Sequence, residues 1–190
     1  MALTGVSDDA LLVLFANGDR GAAAELTRRL TPRSYAVAYR VLGDRAEAED
    51  VTQEALMRLW KTAPDWEPGR AQVSTWLYRV VMNLCIDTKR RRRGGSVALD
   101  QVAEPMDDRP DAASEMLARA RTDALQSALM TLPERQRQAV VLRHLEELSN
   151  PEISEILDVS VEAVESLIAR GKRALAAALA GKRESLGYTE

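Results

Sequence analysis

Residues 148–167 constrain what this chain can fold into more than any other stretch. Asn150 reads as a helix cap and Pro151 as the first helical residue, a position where the missing proline N–H costs nothing. Ile153, Ile156 and Leu157 then share one side of a short helix. Asp158 occupies a tight turn, Val159 fills the angle, and Ser160 caps a second helix that buries Val164, Leu167 and Ile168. Two helices hinged in this way form a helix-turn-helix; a generic pair of core helices is the competing reading, and the spacing disfavours it. The second helix leaves Glu162, Ala163, Glu165, Ser166, Ala169, Arg170 and Arg173 outward. In such a motif the start of this helix, from Ser160, enters the major groove, and the later basic residues reach phosphates.

A second amphipathic stretch spans residues 74–93. At about 100° per residue, Leu77, Val80, Val81, Leu84 and Thr88 fall on one side, and Trp76, Arg79, Asn83, Asp87 and Arg90 on another. The second side runs into five consecutive basic residues, 89–93. Guanidinium and ammonium groups neutralise phosphates, an aromatic offers a stacking surface, and an amide can bond the edge of an unstacked base, so this face suits single-stranded nucleic acid. An amphipathic core helix with a solvated basic end fits the same stretch.

The remainder of the chain bears on that choice. Its 190 residues suffice for one ordinary domain or two small ones. With 46% hydrophobic and 29% charged residues the composition is globular. A formal net charge of −3 excludes a uniformly basic coat for nucleic acid, so binding must come from local clusters such as 89–93 and Arg170, Lys172 and Arg173. The single cysteine, Cys85, excludes an internal disulfide and a cysteine-based zinc site, and reads as a half-buried helix residue. No apolar run approaches a membrane span, and residues 1–9 lack the basic start and apolar core of a secretory signal, so a cytoplasmic protein without membrane insertion is expected.

In chain order, Ser7, Asp8 and Asp9 open a helix that ends at the turn Asn17-Gly18-Asp19. A second helix is predicted from about Gly21 to Leu30. Thr31 and Pro32 then predict a cap and a new helix carrying Tyr35, Val37, Ala38, Val41 and Leu42, ended by Gly43. Residues 44–61 place Val51, Ala55 and Leu59 on one face and Asp50, Gln53, Glu54 and Arg58 on another, a pattern that a solvated face laced with ion pairs would also produce. The loop 62–72 delivers the chain to the basic helix, with Ser74 or Thr75 as its cap.

The order of parts in residues 48–60, then Ser74-Thr75-Trp76-Leu77, Asn83 and a basic run, closely resembles the first domain of the extracytoplasmic-function group of bacterial sigma factors. Residues 132–137 followed by the helix-turn-helix resemble that family's second, −35 recognition domain. The resemblance covers nearly the whole chain. It implies that Asp50, Gln53 and Glu54 contact core RNA polymerase and that Trp76, Arg79, Asn83, Lys89, Arg90 and Arg91 face the −10 element. It also implies promoter DNA as a partner and an anti-sigma factor that holds the protein inactive. Val73 stands where the family often has an aromatic, Asp158 where glycine is usual, and Glu165, with Glu162 beside it, where Lys or a neutral residue is usual. Asp can adopt the left-handed conformation. A carboxylate repels phosphate but accepts from a cytosine amino group, so a cytosine-containing −35 element read by Glu162 or Glu165 is expected.

From Gly94-Gly95 to about Ala113, two glycines, two prolines and the acids Asp100, Glu104, Asp107, Asp108 and Asp111 cannot bury much apolar surface and read as a flexible acidic linker, able to compete with DNA for a cationic groove. Helical pattern resumes through Leu117, Ala120, Ala124, Leu125, Ala128 and Leu129. Pro133 then starts a helix with Ala139, Val140, Leu142 and Leu145 inward. His144 has neither a cysteine nor a second histidine to share a metal, and no catalytic constellation or phosphate loop is present. The expectation is an all-α protein with no enzymatic activity and no cofactor. Residues 1–94 form a first helical domain, 95–113 the linker, 114–182 a helix-turn-helix domain and 183–190 a tail. A plain helix-turn-helix regulator would leave the Trp76 to Arg93 face without a task. A sigma-like protein that titrates an anti-sigma factor would not need the basic run.

Overall fold

The computed structural model describes residues 3–94 and 112–182. Eight α-helices carry the fold, with no strand among the described residues: α1 Asp8–Ala16, α2 Arg20–Leu42, α3 Arg45–Thr62, α4 Val73–Gly94, α5 Ala112–Thr131, α6 Glu134–His144, α7 Asn150–Leu157 and α8 Val161–Ala180. Residues 95–111 of the expected linker and the tail 183–190 lie outside the described residues, while 112 and 113, expected in the linker, already belong to α5.

Local chemistry sets the helix ends. Ser7 caps α1 through the Ala10 N–H, and Asp19 caps α2 through the N–H groups of Gly21 and Ala22. Arg29 on α2 anchors the start of the chain by donating to the carbonyls of Leu3, Thr4 and Val6 while pairing with Asp8 and Glu25. Gly43, at φ 73°, ends α2 in the left-handed conformation, and Asp44 at once caps α3 through the Glu47 N–H.

The predicted break at Thr31-Pro32 does not occur. Pro32 lies inside one 23-residue helix. Ala22, Leu26, Leu30, Ser34, Val37 and Val41 keep one buried stripe in phase through the proline, so packing against α1, α3 and α4 outweighs the lost backbone hydrogen bond. The cap expected at Ser74 or Thr75 also moves: α4 begins at Val73, and the Gln72 carbonyl accepts the first helical bond from Trp76 N–H at 3.0 Å. Cys85 is fully rather than half buried, and burial pushes its thiol up to about 12, which leaves it inert at neutral pH.

The first four helices close around Leu11, Leu12, Leu26, Leu30, Leu59, Leu77 and Val81, all 2% exposed or less. Truncating one such leucine to alanine costs about 2–5 kcal/mol. In the second half α6 is the central helix, packed on α8 and α7 and also on α2 of the first half. It is therefore buried on more sides than a single stripe predicts: Arg137, Gln138 and Val141 are buried along with Ala139, Val140 and Leu142. Leu145, expected inward, follows the last helical residue and is 40% exposed. Gly171 lets α8 approach α6 closely, since a Cβ there would lie 2.6 Å from Val140 Cγ2.

The two halves dock on each other. Helix α4 packs on α2 and α3 with one side and on α7 with another. Arg137 donates to the Val41 carbonyl at 2.9 Å, Gln126 donates to the Tyr39 carbonyl at 3.1 Å, and Met130 covers Gly43. Arg137 thus serves a carbonyl in the last turn of α2, and Gln126 adds a second donor to the Tyr39 carbonyl, which already accepts from the Gly43 N–H. The Tyr78 hydroxyl on α4 donates to the Glu146 carboxylate beyond α6, and burial raises both of their pKa values.

Candidate nucleic-acid interface

Helix α4 positions the predicted −10 residues from the register of its buried face. Leu77, Val81 and Leu84 lock it to the core, which leaves Arg79, Asn83 and Arg90 exposed on the far side. Arg79 and Asn83 stand one helical turn apart. With Met82 and Ile86 they line one wall of a cleft of about 220 Å³, and Arg135, Ile156, Leu157 and Asp158 form the other. Trp76 stands apart from them in kind: it is half-buried and meets Trp66 edge to face at 6.1 Å, so its ring is held against the core.

The basic run at the end of α4 is engaged within the chain. Arg90 pairs with Asp87 at 2.8 Å, Arg91 donates to Thr88, and Arg92 bridges Asp44 at 2.9 Å and Glu47 at 2.8 Å. Arg93 reaches Glu134 across the two halves at 3.9 Å. Lys89 is half-buried; burial first, and Arg137 next, lower its pKa. The cations are close-set, yet each of the four arginines has a neighbour that a phosphate would have to displace.

The helix-turn-helix stands as its sequence predicts, with one shift. Ser149, not Asn150, caps α7: its hydroxyl accepts from Glu152 N–H, and the Glu152 carboxylate accepts from the Ser149 N–H at 2.8 Å, a reciprocal capping box. Asp158 takes the left-handed conformation at φ 53°, and Ser160 caps α8 through the Ala163 N–H. Helix α8 buries Val164 and half-buries Leu167 and Ile168, leaving Glu162, Glu165, Ser166, Arg170 and Arg173 exposed and Ala163 half-exposed. The Glu162 carboxyl is held below its ordinary range by its own backbone N–H and by the Ser160 hydroxyl. Arg170 folds its Nε onto the Ser166 carbonyl.

Asp50 and Gln53 are exposed on α3, and Glu54 pairs with Arg58 at 2.8 Å. They do not form a flat helix face. Asp50, Glu54 and Arg58 are one side of a groove of about 580 Å³ whose other side is Leu84, Thr88, Arg91 and Arg92 of α4. The α4 contribution has no signal in the α3 sequence pattern. Met57, 43% exposed one turn from Gln53 and Glu54, also went unread, although an apolar residue on a charged face is the signal that marks it. Arg135, opposite Asn83 across the cleft, likewise has no signal in the α4 pattern. Among the described residues no group of His, Cys, Asp and Glu can hold a metal, and no helix is long and apolar enough to cross a membrane.

Two helical units in this order, the first presenting Arg79 and Asn83 and the second a helix-turn-helix, define a sigma-70-type protein. Residues 26–94 match sigma-70 region 2, and residues 122–175 match sigma-70 region 4. The chain is 32% identical over 167 residues to the ECF RNA polymerase sigma factor SigW of Bacillus subtilis (strain 168), covering 83% of this chain and 89% of SigW. It is 38% identical over 171 residues to the ECF RNA polymerase sigma factor SigE of Mycolicibacterium smegmatis, covering 86% of this chain and 65% of SigE. Among solved structures, CnrH in complex with the cytosolic domain of CnrY shares 27% identity at a TM-score of 0.68, over 92% of this chain and 97% of that one. RpoE of Bartonella quintana, solved with the anti-sigma factor NepR, shares the fold at a TM-score of 0.66 and 19% identity, over 83% and 96%. The chain belongs to the ECF RNA polymerase sigma factors. It is a transcription initiation factor and not an enzyme.

Proposed function

We propose that this chain docks on core RNA polymerase through the groove between α3 and α4, with Asp50, Gln53 and Glu54 as its polar rim. In this reading Arg79, Asn83 and the Lys89, Arg90 and Arg91 cluster capture the opened −10 strand. Helix α8 reads the −35 element through Ser160, Glu162, Ala163, Glu165 and Ser166, with Arg170 and Arg173 on phosphates. The units divide as 1–94 and 114–182 around the linker, and the protein works in the cytoplasm. An anti-sigma factor holds it inactive until a signal releases it; CnrH, solved with the cytosolic domain of CnrY bound, supports a protein partner for this chain. One observation carries the −10 assignment: Asn83 and Arg79 are exposed on the same face of a helix whose opposite side is core, so they are rigidly presented and free of packing duties.

The test is transcription in vitro with purified core polymerase, this protein and a pool of randomised promoters. Asn83→Ala is the sharper control, because Trp76→Ala also removes the Trp66 contact and so lowers stability. Specific transcripts that Asn83→Ala abolishes support the reading; no polymerase binding together with retained duplex binding would return a plain helix-turn-helix regulator.

A further inference from the structure

We infer that Arg92 does not join its neighbours in the basic run on DNA but is a positioning residue for polymerase docking. It is a strut that holds the last turn of α4 against the start of α3 and so fixes the width of the groove between them. This rests on the reading of that groove as the polymerase dock.

The register of α4 separates Arg92 from the −10 face. At about 100° per residue, consecutive side chains from 89 to 93 sweep about 400° round the helix, so they cannot form one patch. Arg90 comes round to the side of Asn83, whereas Arg92 stands about 180° from it. Val81, Cys85, Thr88 and Arg92 instead follow one another along the side that faces the core. Val81 and Cys85 are fully buried and Thr88 is half-buried, so Arg92 is where this stripe reaches the surface.

The site it reaches suits a guanidinium. Its Nη2 donates to Asp44 Oδ2 at 2.9 Å, and its Nε pairs with Glu47 Oε1 at 2.8 Å. The planar fork thus spans two carboxylates at the start of α3, which the point charge of a lysine does not match. Asp44 serves both ends of this contact, because its other oxygen, Oδ1, accepts the Glu47 N–H at 3.0 Å and caps α3. Glu47 is half-buried, and its Oε2 is buried with no hydrogen-bond partner among the described residues, so Arg92 compensates a poorly solvated charge.

The consequence falls on the groove, which Glu47 and Arg92 both line alongside Asp50 and Glu54. From Ile86 to Arg93 no residue of α4 is fully buried, so the hold of this stretch on α3 depends on Arg92. Without the strut the last turns of α4 open locally, as weakly packed helix ends do. A partner must then order that wall as it binds, which costs affinity.

The experiment measures two binding events on the full chain. Competition for core polymerase against a labelled reference sigma factor reports the dock. Fluorescence anisotropy with a single-stranded −10 oligonucleotide selected by the transcription assay, at several salt concentrations, reports DNA. Arg92→Ala should weaken polymerase binding about fivefold, the combined worth of two partly exposed ion pairs. It should leave the slope of log affinity on log salt for the oligonucleotide in place, whereas Arg90→Ala should lower that slope by about 0.7, one phosphate contact on a single strand. Arg92→Lys, which keeps the charge but not the fork, should recover polymerase binding only in part. Glu47→Gln should weaken polymerase binding as well, and the double variant with Arg92→Ala should lose no more than the worse single variant, because both remove one bridge. Losses that multiply would mean that each residue touches the polymerase separately, and overturn the inference. So would an Arg92→Lys variant that binds polymerase like wild type, or an Arg92→Ala variant whose salt slope falls with that of Arg90→Ala. Asp50→Arg separates the two claims. If it and Arg92→Ala both leave polymerase binding unchanged, the dock lies elsewhere and the strut falls with it; if only Arg92→Ala does, the strut alone falls.

Discussion

The guanidinium of Arg137 lies 2.9 Å from the carbonyl oxygen of Val41, 96 residues earlier in the chain, and 3.1 Å from that of Leu132 in its own unit. One buried side chain thus ends α2 and holds the start of α6. Arg137→Ala leaves both carbonyls without this donor, and a buried acceptor without a partner costs about 1–3 kcal/mol. Urea unfolding of the full chain should show a loss of that size. A loss below about 0.5 kcal/mol would mean that water replaces the guanidinium without cost.

Much of this architecture was legible from residues that answer to local chemistry. Ser7 and Ser160 act where their side chains reach the nearest backbone N–H groups, Asp158 accepts the left-handed turn, and the stripe Leu77, Val81 and Leu84 fixes which side of α4 stays outside. What was not legible depended on distant partners. Pro32 breaks a helix in isolation, but the stripe from Leu26 to Val41 has neighbours on α3 and α4 that keep the helix continuous. Arg137 and Gln138 read as surface residues of an amphipathic helix until α2 covers them. Likewise the basic run 89–93 gives no hint that Asp44, Glu47 and Glu134 lie within its reach.

Asp158 holds φ 53° and ψ 54° at the hinge between α7 and α8. A β-branched side chain resists that region by about 1–2 kcal/mol, whereas glycine adopts it freely. Asp158→Gly should keep or raise the melting temperature, and Asp158→Val should lower it and weaken −35 binding together. Equal melting temperatures for the two variants would show that the hinge relaxes out of the left-handed region.

The reciprocal cap of Ser149 and Glu152 makes the second unit sensitive to acid. The Ser149 hydroxyl and then its backbone N–H hold the Glu152 carboxyl below 4.5. A carboxylate depressed on folding contributes stability that is present above its unfolded pKa of 4.5 and is lost as pH falls through the folded value. Glu152→Gln should therefore flatten the acid limb of the unfolding curve below pH 4.5, and Ser149→Ala should cost about 1 kcal/mol at neutral pH. An acid limb identical in Glu152→Gln and wild type would assign the sensitivity to other carboxylates.

Asp50, Glu54 and Met57 present two charges and an exposed apolar side chain at or near the α3/α4 groove, where the proposed docking puts the polymerase. Asp50→Arg and Met57→Lys should each weaken binding to core polymerase about tenfold while changing stability by less than ~0.5 kcal/mol, because neither residue is packed in the core. The Asp50 effect should shrink at high salt, since screening acts on charge. Competition for core polymerase against a labelled reference sigma factor measures both, and a Met57→Lys variant that competes like wild type would place the contact elsewhere on α3.

Glu165 and Glu162 lie one turn apart on α8, but they are not equivalent. The Glu162 carboxylate is tied to its own N–H and to the Ser160 hydroxyl at the positive end of the helix dipole. Glu165 is exposed one turn further in, with no hydrogen bond among the described residues, and so is free to accept from a cytosine amino group. Base discrimination by one such contact is worth about 1–3 kcal/mol, roughly 5- to 150-fold in affinity. Glu165→Gln should relax the preference for cytosine at one −35 position by that factor and strengthen binding to all sequences, because a charge that repels phosphate is gone. Glu162→Gln should strengthen binding without changing the preferred base. The readout is selection of −35 duplexes by each variant at two salt concentrations. A preference that survives Glu165→Gln at every position would leave the acidic residues of α8 as a brake on affinity rather than readers of sequence.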